Sequence, residues 1–220
     1  QKQIISTIVG MGVCAGDGVM DGTTGRGVSP ALARPTGIWG HGSTLYVTES
    51  DGNTVRLVDL QSRQTRTFAG TGVAAFSGDQ GPATAAALHG PTYLSGTADG
   101  TVIYISDTDN HVIRQVNLSS MEITSVAGQG GTFGSSGDEG PPTLAKLKFP
   151  AGIAVNSNGQ LFICDAGNNK VRMVWKGAIT TVAGSGQYGY SGDGQALVAA
   201  MNGPSGIAAL GESGDFIFAD

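Results

Sequence analysis

Charge is scarce in this chain and nowhere concentrated. Asp, Glu, Lys and Arg make up 13% of the 220 residues, and 17 acids against 12 bases leave a formal net charge of −5. There is no Lys/Arg run, so the electrostatic footprint of a nucleic-acid-binding surface is missing. No apolar run approaches the roughly 20 residues that cross a bilayer as a helix. The opening QKQIISTIVG does not itself read as a secretory signal. Cysteine is rarer still: Cys14 and Cys164 stand two repeats apart, too far for a bridge, and Cys164 reads as a buried free thiol. No Gly-x-Ser-x-Gly elbow, P-loop or HExxH motif is present.

Glycine, by contrast, is abundant. The 37 glycines follow no collagen-like period, which fits many tight turns. The stretch 150–184 shows how they are used: PAGIAVNSNGQLFICDAGNNKVRMVWKGAITTVAG. Four apolar runs (152–155, 161–164, 170–175 and 179–183) alternate with NSNGQ, DAGNN and KGA. Such runs with short Asn/Asp/Gly turns between them make an antiparallel meander. Leu161, Phe162 and Ile163 are consecutive rather than alternating, as in a strand buried on both faces.

The unit recurs. Gly10, Gly70, Gly128 and Gly184 end the strands STIVG, RTFAG, TSVAG and TTVAG at spacings of 60, 58 and 56 residues. Pro35, Pro91, Pro150 and Pro204 open the next units as PTGI, PTYL, PAGI and PSGI. The second strands are LYVTE (45–49), IYISD (103–107), LFICD (161–165) and FIFAD (216–220). Seven residues after Glu49, Asp107 and Asp165 come Arg56, Arg114 and Arg172. Four strands per unit at this period are the signature of a β-propeller. The expected blades are 35–70, 91–128 and 150–184, with partial blades at 4–10 and 204–220. The loops between them carry ATAAALH (83–89), PTLAKLK (142–148) and ALVAAMN (196–202), each long enough for one helical turn.

DAGNNKVR (165–172) and DTDNHVIR (107–114) resemble the core of the NHL repeat. So do the loops FSGDQGPATAAAL (76–88), SSGDEGPPTLAKL (135–147) and YSGDGQALVAAM (190–201). The resemblance covers essentially all of residues 1–220, the first copy being divergent at Glu49 and in GDGVMDGTTGRGVSPAL. It implies an all-β propeller of four-stranded antiparallel blades, expected to belong to a longer parent of six blades. Function does not follow from that fold alone.

Amidating lyases that resemble NHL proteins hold a metal with histidines around a central channel. Here His41, His89 and His111 occupy three different repeat positions and do not form one ring. Asp79, Asp138 and Asp193 share one place in the SGD loops and are calcium candidates, because calcium takes six to eight oxygens. Flanked by glycine, each is read instead as an acceptor for nearby backbone amides. Asp107 and Asp165 at the ends of second strands face Arg114 and Arg172 across a hairpin. A pair repeated in every blade reads as structural, whereas catalytic residues occur once. The inner strands GIWG, YLSG, GIAV and GIAA carry no acid, base or metal ligand. Asn117-Leu118-Ser119 is an N-glycosylation sequon at a turn, which points to an extracellular location, with a cytoplasmic one as the alternative. The expectation is a non-catalytic scaffold without cofactor, binding protein or glycan through loops, or self-assembling through blade edges into an extracellular structure. The alternative is a metal-dependent propeller enzyme, amidating-lyase-like or lactonase-like.

Overall fold

A computed structural model describes residues 32–191, 194–212 and 214–220. The strand expected at 4–10, along with Cys14 and Asp193, lies outside them. The first blade contains β1 (Pro35–His41), β2 (Thr44–Glu49), β3 (Thr54–Asp59) and β4 (Thr65–Ala69), antiparallel in chain order. The second contains β6 (Pro91–Gly96), β7 (Val102–Asp107), β8 (Val112–Asn117) and β9 (Glu122–Ala127), with β5 (Gly81–Pro82) added outside β9. The third contains β10 (Pro150–Val155), β11 (Leu161–Asp165), β12 (Lys170–Trp175) and β13 (Ala178–Ala183). β14 (Gly206–Leu210) pairs with β15 (Asp215–Ala219) in the fourth. Helix is confined to 3₁₀ turns. Three fall in the Ala/Leu-rich loop pieces, at Ala83–Ala85, Pro142–Leu144 and Ala196–Val198, and two follow second strands, at Thr108–Asn110 and Ala166–Asn168.

Repeated residues explain the repeated geometry. Gly70, Gly128 and Gly184 have φ of 94°, 90° and 91°. A Cβ there would strike the carbonyl oxygens of Asn53, His111 and Asn169. Their N–H groups donate to the Ala83, Pro142 and Ala196 carbonyls at 3.0, 3.0 and 2.8 Å, which starts each inter-blade loop along a fixed path. Just before each glycine the register between third and fourth strands shifts, at Val55/Arg56, Ile113/Arg114 and Val171/Arg172. Such a bulge bends the strand and re-aims its side chains.

The inter-blade loop does more than connect. Gln80 N–H donates to the Ile123 carbonyl (2.8 Å) and Ala83 N–H to that of Met121 (2.8 Å), so the loop lies along the outer strand of the blade that follows. The third blade repeats this with Glu139 N–H on Ile179 (2.8 Å). The sequence reading treated these residues as loop alone. Their pairing covers an edge that would otherwise present unpaired backbone groups.

The core lies in slabs between blades. Phe68, Leu88, Ile103 and Ile105 fill the first, Ile113, Leu147, Ile163 and Ile179 the second, and Val171, Ala183 and Met201 the third. Leu161, Phe162, Ile163 and Cys164 are all buried, as expected for a strand between two packed sheets. Inner strands meet closely: Gly152 N–H donates to the Ser205 carbonyl (2.9 Å), and a Cβ on Gly152 would lie 2.6 Å from that oxygen. No helix among the described residues is long and apolar enough to cross a membrane.

Candidate functional site

The buried charges form one network per blade. Arg114 is fully buried, with Nη2 2.7 Å from Asp79 Oδ1 and Nη1 3.4 Å from Asp107 Oδ2. Nη2 also donates to the Ser77 carbonyl (3.2 Å), and the Phe76 ring covers the guanidinium at 5.1 Å. Asp107 Oδ1 accepts the His89 N–H (2.7 Å) and Oδ2 the Asn110 amide (2.9 Å). In the third blade Arg172 Nε and Nη2 both donate to Asp138 Oδ1 (3.1 and 2.7 Å), with Asp165 Oδ2 3.8 Å from Nη1. Asp165 accepts from Lys148 N–H (2.7 Å) and Asn168 (2.8 Å), and Thr181 donates to Asp138 (2.7 Å). The divergent first blade keeps a weaker version: Arg56 lies 4.0 Å from Glu49 and donates to Thr67 at 2.9 Å.

Asp79 and Asp138 therefore hold guanidinium groups of the following blade. Their glycine-flanked sequence suggests backbone amides as partners, and the fold supplies arginines instead. Sequence reasoning also missed Asn110 and Asn168, three residues after each buried acid, although DTDN and DAGN display them in register. Burial pushes Asp107 and Asp165 up to about 6, against the pull of their hydrogen-bond donors and Arg partners. A carboxyl with such a value resembles a general acid. Both are sealed from solvent, however, with their oxygens occupied by the fold. Cys164 is a free buried thiol, pushed up to about 12 by burial and then by the Asp165 charge.

The three histidines are apart in kind and place. His41 stacks on Trp39 at 6.0 Å, and His89 Nε2 stands 3.9 Å from Asp109. His111 lies edge-on to Phe133 and Phe149, and its Nδ1 accepts the Phe149 N–H at 3.2 Å. That last bond belongs to a series the sequence reading did not find. Asn53, His111 and Asn169 share one repeat position, all at positive φ of 53°, 61° and 53°. Asn53 Oδ1 accepts from Gly90 and Asn169 Oδ1 from Gly203, both at 3.0 Å, so each stitches its turn to the next inter-blade loop. Among the described residues no group of three or more His, Cys, Asp or Glu is placed to hold a metal. Asn117 is exposed, its Oδ1 accepting Ser119 N–H (2.9 Å), Ser119 Oγ (2.7 Å) and Ser120 N–H (3.2 Å).

The inter-blade loops also expose large apolar side chains. Phe133, Leu144, Phe149, Tyr188 and Tyr190 are exposed there.

Blades of four antiparallel strands, joined at their inner edges with slabs of core between them, define a β-propeller. Residues 147–172, from the end of a loop to Arg172, match the NHL repeat. Over 164 residues it is 29% identical to the chloroplastic protein SUPPRESSOR OF QUENCHING 1 of Arabidopsis thaliana, covering 70% of this chain and 15% of that protein. Over 103 residues it is 36% identical to Teneurin-4 of Homo sapiens, covering 41% of this chain and 4% of that protein. The chain thus spans a small part of these relatives. An auxiliary nutrient binding protein of Bacteroides thetaiotaomicron has a similar structure, with a TM-score of 0.59 at 21% identity. That match covers 80% of this chain and 42% of the other, and it speaks to the fold.

Proposed function

We propose that this propeller is a non-catalytic interaction module whose inter-blade loops present a binding surface for a protein partner. One observation supports the reading above others. The sealed acids Asp107 and Asp165 belong to arginine networks repeated blade by blade, while large apolar side chains stand exposed on the loops. Repetition is what a fold requires of its staples, and exposed aromatic residues are what an interface requires of its anchors. Photo-crosslinking from a benzophenone side chain at Phe133 should trap a discrete partner, and the same label at the blade-edge residue Arg66 should not. Stoichiometric zinc or calcium in the purified protein, together with turnover of an ester or lactone, would overturn the reading.

The same proposal places the module outside the cell, as a glycosylated unit of an assembly. Support comes from the sequon, which stands in an exposed turn where Asn117 can carry a sugar. Mass spectrometry of the peptide 116–122 from natural material decides it, an unmodified Asn117 counting against an extracellular place.

A further inference from the structure

Three of the chain's five lysines gather around one turn. The turn Ala166–Asn168 and Asn169 follows β11 in the third blade. Asn168 donates to the Gly134 carbonyl at 2.6 Å, and a Cβ on Gly134 would lie 2.9 Å from Lys146 Cδ. Gly167 lies against Lys148, whose Cγ would be 2.7 Å from a Cβ there. A Cβ on Gly186 would lie 3.4 Å from Lys170 Cε and 3.6 Å from the Asn168 carbonyl. The stems of Lys146, Lys148 and Lys170 therefore lie against Gly134, Gly167 and Gly186 around this turn. None of their ammonium groups forms an ion pair among the described residues.

Asp165 feels the Lys170 charge, yet the acids nearby are engaged chiefly elsewhere. Asp165 is buried within the Arg172 network, and Asp138 is paired with Arg172 at 2.7 Å. Asp109 stands beside His89, which leaves Glu139 as the exposed acid of the adjoining loop. In a chain of net charge −5, three lysines in one place without an ion pair among the described residues are a departure from the rest of the surface. Beside them project Phe133, 63% exposed, Phe149, 44% exposed, and Leu144, 64% exposed.

We infer that this surface docks an acidic peptide segment of a protein partner, its carboxylates on Lys146, Lys148 and Lys170 and an apolar side chain on Phe133 and Phe149. This rests on the interaction-module reading and names the partner's chemistry. Cations beside exposed aromatic residues match a ligand carrying both anions and apolar groups. Lysine supplies point charges that accept carboxylates in many orientations. Sulfate and phosphate esters favour the planar fork of arginine, and the arginine here, Arg172, is buried. The glycines leave room for the lysine stems to lie close against the turn, which holds the three cations beside the aromatic residues.

The test is fluorescence anisotropy of the full chain with a labelled peptide of alternating Glu and Phe. A Gln-for-Glu peptide and heparin serve as comparison ligands. The acidic peptide should bind at about 0.05 M salt and weaken steeply towards about 0.5 M, where screening shortens the reach of exposed charges. Lys146→Gln/Lys148→Gln/Lys170→Gln should weaken it by about tenfold or more, at roughly two- to fivefold per lysine. Lys176→Gln, a lysine held over Trp175, should leave binding unchanged. Should the triple variant fail to fold by circular dichroism, Lys170→Gln alone should still show its share. Equal binding of the Gln peptide overturns the role of charge, and preferred binding of heparin overturns the peptide assignment. No binding of the acidic peptide overturns the surface itself, while the Phe133 cross-link to a partner keeps the broader module reading intact. Metal content and turnover, measured separately, are what would remove that reading.

Discussion

His111 shows how one position can be filled by two chemistries. The left-handed turn residue after each second strand must accept an N–H from the next loop. Asn53 and Asn169 do so with an amide oxygen, and His111 with Nδ1. Nδ1 accepts only while the ring is neutral. Burial holds the His111 pKa below its usual value, outweighing the raising effect of Asp109 and the Thr108 backbone, with His89 and Lys148 adding to the lowering. The folded state therefore binds this proton less readily than the unfolded chain, whose histidine titrates near about 6.5. Stability from this residue is present above that pH and is lost as pH falls through it towards the folded value. His111→Asn keeps the acceptor and removes the titration. Urea unfolding at about pH 8 should place the variant within about 1 kcal/mol of the parent, losing ring contacts but gaining a residue suited to positive φ. The parent should then fall relative to the variant as the solution is made more acid. Parallel stability curves for the two proteins would refute the account.

At the scale of elements, the inter-blade loop is part of the blade that follows it. Asp138 reaches from its loop to Arg172, and Thr181 on β13 donates to the other Asp138 oxygen. Removing Asp138 leaves a fully buried guanidinium with only the Lys146 and Ser136 carbonyls (3.1 and 3.5 Å) and the more distant Asp165 (3.8 Å). Breaking a buried pair costs about 3–5 kcal/mol, and a partly exposed Asp138 puts Asp138→Ala nearer about 2–3 kcal/mol. Asp51→Asn, which breaks the exposed pair with Arg34 at 3.4 Å, should cost less than about 1 kcal/mol. Thermal melts of both variants check the contrast, and equal losses would show the Asp138 pair to be surface decoration. These elements also show what was legible in the sequence. Blade boundaries were, because Gly70, Gly128 and Gly184 and the prolines act on their own neighbours. The hairpin pair Asp107–Arg114 was, because seven residues span one tight turn. Asp138–Arg172 was not: 34 residues separate the partners, and only the folded path of the loop along β13 brings them together. The fifth strand β5 was hidden for a related reason, since Gly81–Pro82 has the composition of a turn and pairs through backbone groups alone. The cluster of Lys146, Lys148 and Lys170 was not legible, because two members lie in a loop and the third begins β12, with no run of charge between them.

Over the whole molecule, stability should follow the slabs rather than the chain ends. Each slab needs two blades, as neighbouring repeats do in quasi-one-dimensional proteins, so a blade with packed sheets on both sides is held more firmly. The second blade meets that condition: Ile103 and Ile105 enter one slab, Ile113 the next, and all three are fully buried. The fourth contrasts with it, because β14 and β15 leave Ile217 59% and Leu210 45% exposed, and the slab beneath contains Val171, Ala183 and Met201. Local opening free energies rise with buried apolar contact and fall with exposed backbone. Native-state hydrogen exchange of this chain should therefore show amides of β14 and β15 opening first, and those of β7 and β8 exchanging only with global unfolding. The arginine networks sharpen the gradient, since Arg114 and Arg172 tie their loops to the second and third blades. Asp138→Ala should accordingly speed exchange in β13 before it affects β8. Uniform protection from β1 to β15 would show that the blades unfold as one unit and that the slab boundaries have no separate energetic meaning.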